Sequence, residues 1–267
     1  FSAIAERSNG LERIKLLFYQ GPFKPNGIAT AFTNLIGSLD PEKYLVSVAV
    51  DMGAVGSNPD SLEILNGLPE HVKILPRAGA TIMSAEERWV SDGYHAHRGF
   101  DSPVAEQIHL NTMEREMQRS FGDARFDVAI DFEGYSRFWA MLFAASHTHA
   151  KRNYIYLHND MVGEWKLRFG TMPGLFATYR HYDRLVSVTE SVGQQNEQQL
   201  SELFGLDPGK FTVSENLLDL RKPLEWSEAS DPVHRFEGDG LTVFANMARL
   251  SPEKGQMKLL EAFAKIN

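Results

Sequence analysis

The chain reads as an α/β protein built on a doubly wound parallel sheet, and three observations point there. Apolar runs recur along the 267 residues and are continuous, not alternating, as in strands buried on both faces. Amphipathic stretches with helical spacing lie between them. Strand and helix patterns alternate along the chain, the mark of βαβ units. A hydrophobic fraction of 43% supplies an ordinary globular core.

The first strand is predicted over Ile14–Gln20. It stops at Gly21-Pro22-Phe23-Lys24-Pro25-Asn26, residues that turn the chain, and a helix follows over Gly27–Leu39. Tyr44–Asp51 and Val72–Leu75 are the next strands. Pro76–Phe100 is a polar, aromatic-containing excursion, long for a connection in such a sheet, and is expected to be a lid or an acceptor-facing insertion. Within it Ser84-Ala-Glu-Glu87 has capping-box spacing. Ser102-Pro103 opens a helix over Val104–Phe121 with Pro in the first turn. Strands at Phe126–Phe132, Tyr154–Leu157, Leu185–Thr189 and Phe211–Ser214 are separated by helices at Tyr135–Ser146, Gly174–His181 and Ser191–Phe204. Ser191-Val-Gly-Gln194 is a second capping-box pattern.

Residues 220–240 carry Pro223, Pro232, Gly238 and Gly240 without periodicity and are expected to link two domains, 1–219 and 241–267. The second begins with a strand over Leu241–Asn246. Ser251 as N-cap and Pro252 then open a helix through Leu259, Leu260 and Phe263. Arg249 and Lys254 bracket that turn, where free N–H groups and the positive helix end favour a diphosphate. The chain begins at Phe1 and ends one strand and one helix into this domain, so both ends are expected to be cut from a longer protein.

A net charge of −8 and the lack of any basic stretch argue against nucleic acid as a partner. With no cysteine there are no disulfides or thiolate metal sites, which fits a reducing, cytoplasmic setting. No apolar run reaches the roughly 18 residues of a membrane span. His95-Ala-His97 and His147-Thr-His149 have paired spacing, but nothing completes a ligand set, so no metal is expected.

Candidate site residues cluster where strands end, since open parallel sheets bind ligands beyond the carboxyl ends of their strands. Gly21 and Gly27 let backbone approach a ligand, or simply shape the turn. His158 follows a strand and can bond a hydroxyl or phosphate near its working pKa, or be satisfied by its neighbours. Asp131 and Glu133 orient an acceptor hydroxyl, or serve as a helix cap and a solvated turn residue. Asn216, just before the linker, is a cleft contact or a turn former.

Taken together, these segments resemble the retaining GT-B glycosyltransferases of the large nucleotide-sugar-dependent superfamily (group 1, family 4-like). The similarity is carried by Arg249-Leu-Ser-Pro-Glu-Lys254-Gly255, by Ser187-Val-Thr-Glu190-Ser191 and by Glu202-Leu-Phe-Gly-Leu-Asp-Pro-Gly-Lys210-Phe-Thr-Val213. Gly21…Gly27-Ile28 resembles the family's glycine loop, and His158 falls where it often has a histidine near the transferred sugar. The usual Pro-Asn-Gly before the linker instead reads Ser214-Glu215-Asn216-Leu217, and residues 52–125 match no family segment.

The resemblance implies a Rossmann-like, acceptor-side domain followed by a truncated Rossmann-like donor domain. It implies transfer of a sugar from a nucleotide-diphosphate sugar to a hydroxyl, with retention and without a metal. Arg249, Lys254, Gly21 and Gly27 would hold the donor diphosphate, and His158 would be catalytic. A glycan, lipid-linked or polymer acceptor and a peripheral membrane contact go with it, in bacterial cell-envelope synthesis. Two rivals remain: transfer of an alditol phosphate or related group in cell-wall polymer synthesis, and a non-catalytic glycan- or partner-binding module.

Overall fold

The computed structural model describes residues 13–97, 99–229, 242, 244–248, 250 and 254–265. Seven strands are present: β1 (Ile14–Tyr19), β2 (Tyr44–Asp51), β3 (Lys73–Arg77), β4 (Phe126–Asp131), β5 (Ala150–Leu157), β6 (Arg184–Ser187) and β7 (Phe211–Val213). All pair in parallel, in the order β3-β2-β1-β4-β5-β6-β7. This is a doubly wound, Rossmann-like sheet, and its strand order reverses between β1 and β4.

Both faces are covered, which is why the strands read as continuous apolar runs. Leu17 and Tyr19 of β1 face a core made with α5 (Pro103–Phe121), α6 (Arg137–Ala144) and α8 (Met172–Phe176). Leu16 and Phe18 face the opposite core, with Phe32 and Ile36 of α1 (Gly27–Ser38) and Leu65 of α3 (Pro59–Asn66). Pro76 sits in β3, an edge strand, where a missing N–H is tolerated. The other helices of this unit are α2 (Met52–Val55), α4 (Ala85–His97), α7 (Met161–Leu167) and α9 (Glu190–Phe204).

Several expectations change. The excursion after β3 contains a 13-residue helix, α4, opened by the predicted capping box: Ser84 N donates to Glu87 Oε2 (2.8 Å) and Glu87 N to Ser84 Oγ (3.2 Å). At α9 the cap is Thr189, which accepts from Val192 N at 3.3 Å, and Ser191 lies inside the helix. The helix predicted over Gly174–His181 splits into α8 and a 3₁₀ turn at Tyr179–His181. There Thr178 Oγ1 donates to Leu175 O (2.7 Å), a side chain competing for a helical carbonyl.

The chain divides into two compact units, residues 1–218 and 219–267. In the second, the described helices are α10 (Arg221–Ala229) and α11 (Gln256–Phe263). Of the strand expected over Leu241–Asn246, Thr242 and Phe244–Asn246 are described and none lies in a strand. The helix predicted to open at Ser251 and Pro252, both outside the described residues, is seen from Gln256, with Gly255 at its N-cap in the left-handed region (φ 69°). Phe263 of α11 meets Phe244 edge to face, 5.5 Å between ring centres.

Candidate functional site

A doubly wound sheet offers its crevice where the strand order reverses, beyond the carboxyl ends of β1 and β4. The chain leaves β1 through Gly21 (φ 88°) and Phe23 (φ 55°). Phe23 is fully buried against Phe32, so packing holds a non-glycine residue in a region it seldom enters. Asn26 then caps α1, its side chain accepting from Ala29 N at 3.0 Å. Gly27 is the first helical residue, and a methyl group there would meet nothing within 4 Å. Gln20, only 3% exposed, keeps a buried side-chain nitrogen with no hydrogen-bond partner at this edge.

Beyond β4, Gly134 takes a left-handed turn (φ 72°) that brings Glu133 against the β1 loop. A Cβ on Gly21 would stand 3.0 Å from Glu133 Cγ, so the glycine makes room for the carboxylate. Ser136 N donates to Glu133 Oε2 at 3.2 Å. Burial raises the Glu133 carboxyl to about 7, with the Ser136 N–H and the Lys24 charge opposing. Asp131 is fully buried; its Oδ1 accepts from Gly134 N (3.0 Å) and its Oδ2 has no partner. Burial first, and then the Glu133 charge, push its carboxyl well above the usual range. It shapes the turn and does not line the cleft described next.

That cleft, about 530 Å³, opens beside the ends of β1–β4, with Tyr19, Asp51, Arg77, Glu133, Trp139 and the inner side of α4 in its walls. Tyr19 and Trp139 stack at 4.1 Å. Arg77, 7% exposed, donates through Nε to Glu116 Oε1 at 2.8 Å and rests over the Phe138 ring at 4.4 Å. None of Asp51, Arg77 or the α4 side chains is legible from spacing, because the sheet order alone assembles them.

His158 lies on the other face. Its Nε2 donates to Phe132 O and its ring meets Phe132 and Tyr156, which belong to the α1-side core. Burial lowers its pKa, so the imidazole is neutral with Nδ1 as acceptor. Asn216 is exposed; the segment around it is tied to the same face, with Asn34 Nδ2 donating to Leu217 O (3.0 Å) and Ser214 hydrogen-bonding Tyr156. Gly21, Asp131 and Glu133 therefore come together, while His158 and Asn216 sit on the α1 side of the same sheet edge. Lys254 is exposed in the second unit, and Arg249 lies outside the described residues. Among the described residues no group of three His, Asp or Glu is placed to hold a metal, and no helix is long and apolar enough to cross a membrane.

No protein-family model matches the sequence, and no curated protein does either. The fold does have counterparts. Anabaena HepE, solved in complex with UDP and glucose, superposes over 96% of this chain with a TM-score of 0.56 at 15% identity. Arabidopsis thaliana UGT89C1, solved with UDP-L-rhamnose, covers 83% at a TM-score of 0.46 and 13% identity, too distant to bear on the argument. The chain spans 59% of the length of HepE. At these identities the likeness is one of fold, and the fold is the α/β, Rossmann-like one of GT-B proteins.

Proposed function

We propose that the protein of which this chain is part transfers a sugar from a nucleotide-diphosphate sugar to an acceptor hydroxyl, with retention. The observation that carries this is the β1–β4 crevice. The loop that leaves β1 through Gly21 places Pro22, with Glu133, in the wall of a cleft there, and Gln20 keeps an unpartnered side-chain nitrogen at the same strand end. The solved pairing of HepE with UDP and glucose makes a uridine diphosphate sugar the first donor to test.

In this scheme backbone N–H groups of the Gly21–Gly27 loop face the diphosphate, and Arg249 and Lys254 neutralise the charge that grows on it. Neutral His158 hydrogen-bonds the sugar from the α1 side, and exposed Asn216 adds a contact in the crevice. The anomeric C–O bond to the diphosphate breaks as the acceptor oxygen bonds the same face, and the hydroxyl proton leaves with the diphosphate. Fixed cations take the place of a metal, so EDTA leaves transfer unchanged.

Release of nucleoside diphosphate from a nucleotide-sugar panel, with and without a broad hydroxylated acceptor mix, tests the proposal on the full-length protein. Acceptor-dependent release, with the product retaining its anomeric configuration by NMR, supports it. Release only from an alditol-phosphate donor, or no nucleotide binding at all, replaces it with one of the two rival functions.

A further inference from the structure

The cleft beside β1–β4 holds side chains to which the donor chemistry gives no task. Arg77 forms its floor, stacked on Phe138 and bonded to Glu116 and to Thr81 Oγ1 (3.1 Å). Glu116 is shared with Arg119, so its charge is divided between two guanidiniums. Arg77 Nη1 stands 3.9 Å from Asp51 Oδ2, longer than a hydrogen bond, so both atoms keep bonding capacity. Asp51 Oδ1 is meanwhile fixed by Gly53 N (3.0 Å) and Ala54 N (3.3 Å). Arg88, Ser91, Asp92 and His95 share one face of α4 and form the facing wall. Glu133 completes the lining, one oxygen held by Ser136 N.

The walls therefore offer donors and acceptors in alternation, with Arg77 opposite Asp51 and Arg88 beside Asp92. An anion meets three carboxyl groups there and a cation meets two guanidiniums, each at an unrepaid desolvation cost. Vicinal hydroxyls, which both donate and accept, satisfy both kinds of group.

We propose that this cleft binds the acceptor through a neutral polyhydroxyl group, whose attacking hydroxyl donates its hydrogen bond to Glu133. The inference rests on sugar transfer as the activity. Glu133 orients the hydroxyl and does not keep its proton, which goes to the leaving diphosphate as above. The ionised carboxylate accepts that bond more strongly than the neutral acid, whose free oxygen carries the proton and donates instead, and burial raises its carboxyl to about 7. Transfer therefore falls as pH drops through about 7.

Amide chemical shifts of the protein titrated with methyl glucoside, glucuronate and glucosamine test the site. Methyl glucoside is expected to move the Glu133 and Ser136 amides, and the two charged sugars at equal concentration at least fivefold less. Equal effects, or shifts only elsewhere, overturn the proposal. In the full-length enzyme Glu133→Gln is expected to lower acceptor kcat/KM at least tenfold and remove the acid limb of the pH profile, with UDP affinity within twofold. An unchanged profile with normal UDP binding overturns the role of Glu133. Glycoside binding in the cleft without transfer from any donor defeats the sugar-transfer proposal and leaves the polyol site standing. If Glu133→Gln does not fold, Asp92→Asn, at an exposed position of α4, is expected to weaken methyl glucoside binding at least threefold, and unchanged binding overturns the site.

Discussion

At the scale of single residues, two glycines at the crevice separate what the fold needs from what a ligand needs. Gly134 is structural: its φ is 72° and a Cβ would collide with the Tyr156 carbonyl oxygen. Gly134→Ala should cost more than about 2 kcal/mol, read from the urea midpoint. Gly27 has helical backbone and open space around it, so nothing in the fold requires its smallness. Gly27→Ala should melt at or slightly above the wild-type temperature, since alanine is favoured in a helix by up to about 1 kcal/mol. If nucleotide reaches that backbone, calorimetry should show about tenfold weaker binding; unchanged affinity removes Gly27 from the donor site. Glu133 shows the same division in its protonation. Its carboxyl is raised in the fold, so the folded state holds a proton that the unfolded chain has released between about 4.5 and 7. Stability therefore declines as pH rises across that window. Glu133→Gln should be more stable than wild type at pH 8, by on the order of 1–3 kcal/mol.

At the scale of elements, α5 shows how a helix supports a site it does not enter. Burial pushes the Glu116 carboxyl up, but hydrogen bonds from Arg119 and Arg77 outweigh it and hold the group below its usual range. Glu116→Ala takes from the buried Arg77 guanidinium its hydrogen-bonded carboxylate, leaving Thr81 and the more distant Asp51, and should cost about 3 kcal/mol, read from denaturant melts. Seven residues earlier His109 is 1% exposed between Tyr94 and Phe100, and burial, then His95, lower its pKa to about 4. The unfolded chain takes up that proton near 6.5, so stability is intact above 6.5 and is lost as pH falls toward 4. His109→Phe should shrink the difference in urea midpoint between pH 7.5 and pH 5; an undiminished difference assigns the acid sensitivity to other groups. How far each element was legible follows from its burial. β1, β2 and β4 are apolar on both faces and announce themselves. β5 begins at Ala150, four residues before the predicted Tyr154, because Lys151 and Arg152 are exposed and Asn153 is a buried polar residue. Asn153 is satisfied by the carbonyls of Phe143, Ala144 and His181, partners no local pattern reveals. At the site, Gly21 and Glu133 were legible as strand-end residues. Arg77, Asp51 and the particular α4 side chains of the lining were not, because only the reversal of strand order gathers them.

At the scale of the whole molecule, both core clusters lie within the first unit. The α5–α6 core runs from Leu17 to Leu206 and the α1 core from Leu16 to Phe132, and neither includes a described residue of 219–267. A seven-stranded sheet buried on both faces is large enough to stand alone. The second unit differs: Met257, Leu260 and Phe244 are each more than 60% exposed, and its described residues contain no strand on which to bury them. Residues 13–218 expressed alone should therefore melt in one cooperative transition and retain the near-ultraviolet signal of Tyr19 and Trp139. Residues 219–267 alone should show no such transition. By the same logic the first unit, which lacks Arg249 and Lys254, should not release nucleoside diphosphate steadily from a nucleotide sugar. Neither should the 267-residue chain, whose second unit leaves Met257, Leu260 and Phe244 exposed. In the proposed chemistry the transition-state charge is met by donor-side groups, and each such group is worth about 3–4 kcal/mol of barrier. Incubating both proteins with a nucleotide-sugar panel and an acceptor mix, beside an Arg249→Ala control, decides the matter. Release above that control from residues 13–218 would place the donor site wholly within the first unit and remove Arg249 and Lys254 from the mechanism.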